Sequence, residues 1–321
     1  MRAARRGVRT LRASLWIYLL LGAHAAAGAA ADPVLAPLIV SGERAGPGLW
    51  QVSGDQARLW ILGTVSPLPF GMTWRAREVM RVLGNVETVL VAKPVELSVP
   101  RVVWMLIAQR ELLLLPRGRK LRDILPPDLY ARFTAQRTQS GEALDKWERY
   151  RPIVAGALLE DRALAGAGLS DRLDVSLTVR RLARERHITV TELNTPGAAD
   201  MLKALQAVPP AAEVACLTTL VETVETGIPA LAARADAWAS GDLERLRALP
   251  PSAVTACAAA LGGQGVAGAP WQKTRDAWLA ALEARLRGAA ATLAVIDLDM
   301  LLGPRGLLQD LRDAGFRIEE P

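Results

Sequence analysis

Histidine is the residue this chain most lacks. Two occur in 321 residues, His24 and His187. His24 falls in an N-terminal stretch that reads as a cleaved leader, so the mature chain keeps one imidazole. A site needing two or more histidine ligands is thereby excluded, along with much of the usual zinc chemistry. His187 follows Arg184-Glu185-Arg186 and precedes an apolar run, which is the setting of a surface turn.

Cysteine is as scarce, with Cys216 and Cys257 only. In an oxidising compartment such a pair is a candidate disulfide. Closing a loop of about 42 residues would add roughly 4 kcal/mol on the loop-entropy account. The alternative is two buried free thiols, since cysteine also serves as a small core residue. Net charge is scarce too. The chain carries +6, and Arg2, Arg5, Arg6, Arg9 and Arg12 supply +5 of it, which leaves about +1. A basic nucleic-acid footprint is therefore missing; the cluster Arg117–Arg122 reads as a solvated loop.

Past the leader, no apolar run reaches the ~20 residues of a membrane span. Val102–Leu115 (VVWMLIAQRELLLL) is too short and too broken by charge, so it reads as a buried helix. Tyrosine and phenylalanine number three each against nine tryptophans. Trp50, Trp60, Trp74, Trp104, Trp147, Trp238, Trp271 and Trp278 are core anchors by default, with one or two available to line a cleft.

What is present begins with that leader. An arginine-rich start, an apolar Leu15–Leu21 and the small-residue tract Ala23–Ala31 describe a secretory signal over 1–31, with cleavage near Ala29–Asp32. Export to a periplasm or the exterior is expected. About half of the residues are apolar, enough to bury a sizeable core.

The runs Leu49–Ser53 and Arg58–Leu62, joined through Gly54-Asp55, predict a β-hairpin. Helices are expected at Trp74–Leu83, Asp174–Glu185 and Trp271–Leu286, and buried strands at Thr88–Ala92, His187–Leu193 and Thr292–Leu298. Leu121–Leu125 before Pro126-Pro127-Asp128 marks one helix end and a new start. Gly306–Ala314 then Phe316–Ile318 reads as helix and terminal strand. Residues 198–262 are helical in composition, with breaks at Pro209-Pro210, Gly227-Ile228-Pro229 and Pro250-Pro251. Gly262–Pro270 is a loop. Strands alternating with helices predict an α/β fold: a mixed central sheet flanked by helices, with an inserted helical lid subdomain. The expected division is leader 1–31, core 32–197, helical insertion 198–262 and core 263–321.

Several blocks in order carry a resemblance. Leu49-Trp50-Gln51-Val52 with Leu59-Trp60-Ile61-Leu62-Gly63-Thr64, then Leu121–Leu125 before Tyr130, Leu173–Leu177, Trp238–Leu243 and Gly303–Leu308 resemble the TraB/GumN family, relatives of the Tiki proteases. The resemblance runs from about residue 48 to 319. It implies a divalent metal for peptide-bond hydrolysis, held by two G-x-x-H turns, a strand glutamate and an acidic residue before the lid. Histidine and carboxylate ligands with an open position would lower the pKa of a metal-bound water.

This chain departs from that pattern at each site position. The first turn is Gly63-Thr64-Val65-Ser66, with serine in place of histidine. Lys93 stands for the strand glutamate and Asn194 for the pre-lid acid. The second turn is Asp297-Leu298-Asp299-Met300, with aspartate for glycine and methionine for histidine. The Arg-Asn pair expected before Trp278 reads Thr274-Arg275. Serine and methionine are poor ligands for zinc or cobalt, and an ammonium about 4 Å from a cation is repelled by roughly 4 kcal/mol at an effective dielectric of 20. No cofactor is therefore expected.

The reading is an exported, catalytically inactive family member with a cleft for a peptide or an envelope protein. The alternative is a hydrolase with rebuilt chemistry, using a Ser66/Lys93 dyad or Asp297 and Asp299, with Glu192 nearby; a hard-cation site on those three acids is the metal version. Asp297 and Asp299 would share a face if the strand extended through both. Lys93 is expected to replace the metal as counter-charge to Asp297, Asp299 or Glu192, and the two turns to lie side by side.

Overall fold

The computed structural model describes residues 46–321 except 55–56, 95–109, 142–146, 172–173, 254, 258–268 and 304. The expected leader, Trp104, most of the apolar run Val102–Leu115 and most of the loop Gly262–Pro270 lie outside the described residues.

The chain opens with the hairpin β1 (Leu49–Ser53) and β2 (Arg58–Thr64), followed by the short β3 (Leu68–Pro69), α1 (Arg77–Leu83) and β4 (Thr88–Ala92). Helix α2 (Arg110–Leu113) and a 3₁₀ turn (Leu121–Asp123) lead to α3 (Pro127–Gln139) and α4 (Pro152–Gly166). Then come β5 (Leu169–Ser170), α5 (Val175–Glu185), β6 (Thr189–Leu193), α6 (Ala198–Gln206), α7 (Pro210–Glu222), α8 (Ile228–Ser240) and α9 (Leu243–Ala248). The chain closes with α10 (Ala269–Leu286), β7 (Thr292–Asp297), α11 (Leu298–Leu302), α12 (Leu307–Asp313) and β8 (Arg317–Glu319).

Six strands form one mixed sheet in the order β6-β4-β7-β2-β1-β8. The first four are mutually parallel, while β1 runs antiparallel to both β2 and β8. This confirms an α/β fold with a mixed sheet flanked by helices. Strands β4 (TVLVA) and β7 (TLAVID) lack polar alternation because helices cover both their faces, as parallel strands require; nearly every residue in them is buried. Strand β7, the last of the four parallel strands in the chain, fills the slot between β4 and β2. Its register pairs Thr64 with Asp297 and Val91 with Val295.

The carboxyl ends of β2, β4, β6 and β7 consequently share one edge of the sheet. Open α/β sheets place their ligand crevices outside that edge. Ser66, Lys93, Asn194 and Asp297 all follow or end these strands.

The expected break at Gly227-Ile228-Pro229 is not there. Helices α7 and α8 join through a π turn, Thr223–Gly227, into one helix from Pro210 to Ser240. Pro229 removes one backbone donor, and an inserted residue in the preceding turn lets the helix pass the ring without stopping. By length and composition this helix could cross a membrane. Here Leu217 and Val221 pack with Leu121, Phe133 and Leu159, and Trp238 packs into the sheet core. It ends where Gly241 takes φ 73° and Asp242 caps α9 by accepting from the Arg245 N–H at 3.0 Å. Glycine there supplies the left-handed residue that a helix stop needs.

Cys216 and Cys257 form a disulfide, Cα–Cα 4.8 Å, inside the range such bridges span. It fastens α7 to the residues that follow Pro250-Pro251.

Candidate functional site

The first turn is held by packing. Gly63, the penultimate residue of β2, lies against Leu298 and Trp50; a Cβ there would come within 2.6 Å of Leu298 Cδ1 and 3.0 Å of Trp50 Cζ3. Its carbonyl accepts from the indole N–H of Trp238 at 2.7 Å. Trp238 is buried on α8 and meets Trp74 with ring centroids 5.6 Å apart. The Thr64 hydroxyl donates to the Ile296 carbonyl at 3.3 Å, tying the turn to β7. Ser66 is half-buried.

The second turn is held by charge. Strand β7 stops at Asp297 and α11 begins at Leu298, so Asp297 and Asp299 do not share a strand face as expected. Asp297 caps the helix: Oδ1 accepts from the backbone N–H groups of Asp299 at 2.9 Å and Met300 at 3.2 Å. An aspartate at that position satisfies donors the first helical turn would leave bare, which gives the replacement of glycine a local reason. Met300 packs against the sheet core.

Asp299 faces the helical segment. Its Oδ1 pairs with Arg234 of α8, both side chains about one-tenth exposed. Its Oδ2 accepts from the Thr255 hydroxyl at 2.8 Å, the Ser252 N–H at 3.2 Å and the Ser252 hydroxyl at 3.3 Å. Arg234 also donates to the Pro250 carbonyl at 3.2 Å. Arg234 and Trp238 are one helical turn apart on one face, so α8 grips both turns, one residue on each.

Asp297 is open to solvent on one side and surrounded by protein on the others. Burial and the neighbouring Asp299 carboxylate push its pKa up to about 6, against the pull of two backbone N–H groups and Arg234.

The remaining site positions separate. Lys93 is exposed; its N–H donates to the Leu193 carbonyl at 2.7 Å and its carbonyl accepts from the Thr195 hydroxyl at 3.1 Å. Glu192 is claimed by Arg180 at 3.0 Å and Arg184 at 3.8 Å. Arg180 also donates to the Ala92 carbonyl at 2.8 Å. Among the described residues, no ion pair joins Lys93 to Asp297, Asp299 or Glu192, so the expected counter-charge is corrected: helices α5 and α8 supply the cations. Asn194 is exposed just past β6. Arg275 lies outside this cluster, bound to Asp310 and to the Arg305 carbonyl at 2.8 Å. His187 sits exposed in a left-handed turn, φ 57°.

The sequence model of the TraB/PrgY/gumN family matches residues 48–320. The chain belongs to that family. Comparisons with curated proteins and with solved structures returned no match. The donor set does not fit the metal that the TraB/GumN resemblance implies. Of the three acids available for an oxygen-only site, Asp299 and Glu192 are committed to arginines and Asp297 to a helix cap. Among the described residues no three His, Cys, Asp or Glu side chains gather as ligands.

Arg234, Ser252 and Thr255 escaped the sequence reading. Arg234 left one signal, a cation within the otherwise apolar Ile228–Ala235 and four residues before a tryptophan. Ser252 and Thr255 left none.

Proposed function

We propose that this chain is an exported TraB/GumN-family protein whose ancestral catalytic site has become a structural joint, leaving a non-catalytic fold with a cleft for a peptide or an envelope protein. The observation that carries the reading is the commitment of Asp299 to Arg234, Ser252 and Thr255. A carboxylate with both oxygens occupied in this way is no ligand for a metal, and the guanidinium stands as the site's fixed positive charge. Loss of both turn histidines agrees with it. Export is supported by the N-terminal signal pattern and by the Cys216–Cys257 bridge, which suits an oxidising compartment.

Calorimetric titration of the purified chain with Zn²⁺, Mn²⁺ and Co²⁺ tests this. The expected outcome is weak, non-stoichiometric uptake. A stoichiometric sub-micromolar site for any of the three sinks the reading.

One observation favours a second reading, a hydrolase with rebuilt chemistry. Asp297 is solvent-accessible at the carboxyl edge of the sheet, with its pKa raised to about 6, in the range useful for acid–base work near neutrality. Peptide or ester turnover abolished by Asp297→Asn, with folding intact, would select this reading over the first.

A further inference from the structure

A groove of about 780 Å³ opens in the helical part of the molecule, between the residues around α2 and the α6–α7 junction. That volume is within the roughly 300–1,000 Å³ of small-molecule sites. Its walls are apolar: Leu112, Leu114, Ile124, Val208, Pro210 and Val214. Beneath them lies the Arg151–Glu213 ion pair, with side chains 14% and 6% exposed. The pair neutralises itself, so the floor offers an incoming molecule no net charge.

The charge is at the rim. Arg119 lines the groove and is exposed, and its guanidinium donates to the Asp123 backbone carbonyl at 3.4 Å. It stands on the loop Pro116–Arg122, whose Arg117, Lys120 and Arg122 are exposed as well. Against them stand Asp123, which lies 3.8 Å from Arg122, and Glu111, which also lines the groove. Arg119 and Glu111 offset each other in the lining itself, so the excess of positive charge belongs to the loop that carries Arg119, beside the apolar trough.

We propose that this groove binds a single-chain amphiphile with an anionic head, its hydrocarbon along the apolar walls and its head on Arg119 and the basic loop. An apolar trough left open to water is unfavourable in proportion to its area, and a hydrocarbon chain removes that area without demanding hydrogen bonds. Apart from the Arg151–Glu213 pair, the polar side chains that line the groove are Arg119, Glu111 and Gln206. Arginine favours the head to be a carboxylate, which it can meet with two parallel N–H groups.

The site is independent of the sheet edge, so its failure would leave the reading of the two turns untouched. The test is calorimetric titration of the purified chain with dodecanoate below its micellar concentration, alongside dodecyltrimethylammonium and hexanoate. The expected result is saturable one-to-one binding of dodecanoate, much weaker hexanoate binding and no saturable binding of the cation. Arg119→Glu should weaken dodecanoate about tenfold, or 1.4 kcal/mol. Ala211→Trp, which places bulk at an exposed groove residue, should abolish it while thermal unfolding stays unchanged. If Ala211→Trp proves unstable, the exposed Arg119→Glu variant still decides the matter. The proposal is overturned by no saturable uptake, by equal binding of the cationic amphiphile, or by dodecanoate binding indifferent to Arg119→Glu.

Discussion

One helix, Pro210–Ser240, has a buried arginine–carboxylate pair at each end, and the two are built differently. At its start, Arg151 donates to Oε1 of Glu213 from Nε, at 2.9 Å, and from Nη2, and sends further N–H groups to the Leu112 and Leu205 carbonyls. The Oε2 of Glu213 is buried with no hydrogen-bond partner. At its end, Arg234 occupies one oxygen of Asp299 while Ser252 and Thr255 fill the other. Burying an ion pair costs desolvation that the mutual attraction repays only if the remaining lone pairs are also met. The first pair leaves part of that cost standing, whereas the second meets it and joins the helical segment to the sheet.

The largest expected effect is at the second pair. Arg234→Met strands a buried carboxylate and should remove about 3–5 kcal/mol from the unfolding free energy, read from urea denaturation. Restoring that stability by adding Asp299→Leu should fail, because Ser252 and Thr255 would then keep donors with no acceptor. A double variant as stable as the parent would erase the contrast between the two ends.

Next in size is the disulfide. It lies between the pairs on the helix and closes onto Cys257, two residues past Thr255. Cys216→Ser with Cys257→Ser should lose about 2–4 kcal/mol through the released loop. If the bridge also holds the Asp299 partners in place, the further loss from Arg234→Met should shrink in that background, a coupling that a double-mutant cycle measures. Strict additivity would show that the bridge and the joint act separately.

At the first pair the expected change is small and of either sign. Arg151→Met with Glu213→Leu removes the unsatisfied oxygen together with both charges, so stability should move by less than about 1.5 kcal/mol or rise. A loss as large as that of Arg234→Met would mean that Glu213 is better satisfied than its geometry indicates.

The contrast also separates what the sequence disclosed from what it hid. β4 and α5 were legible because an apolar run and an amphipathic repeat are local signals; the Asp174 cap on α5, which accepts from the Ser176 N–H at 2.7 Å, was not read. The site was legible only to the level of strand ends. Charge arithmetic correctly demanded a cation beside the retained acids but selected Lys93, the one that alignment places on a strand. The cations are Arg234, 65 positions from Asp299, and Arg180 and Arg184 on α5. No periodicity links such residues; tertiary packing of α8 and α5 against the strand ends decides. The missed continuity of the helix through Pro229 has a similar cause, since a π turn has no composition of its own.

The smallest effect separates the helical part of the molecule from the sheet edge by pH. Glu160 on α4 is 7% exposed, and burial, with Asp171 and Asp161 adding to it, pushes its pKa up to about 7. Its unfolded value is lower, so between about 4.5 and 7 the folded chain holds a proton that the unfolded chain has released. Stability must therefore fall as pH rises through that window and level off above it. Asp297 acts with the same sign but in a lower window, from its ordinary value up to about 6, and its solvent access makes it the weaker contributor. Glu160→Gln should raise the melting temperature by roughly 2–4 °C at pH 8 and change it little at pH 4. Asp297 contributes to the slope that survives in this variant below pH 6, against the opposite contribution of Glu320, whose carboxyl Arg247 holds below its ordinary value; the Asp297 part should vanish on adding Asp297→Asn. Thermal unfolding from pH 4 to 8 measures both. A Glu160→Gln variant whose stability tracks the parent at every pH would show that this carboxyl ionises in the fold as it does in water.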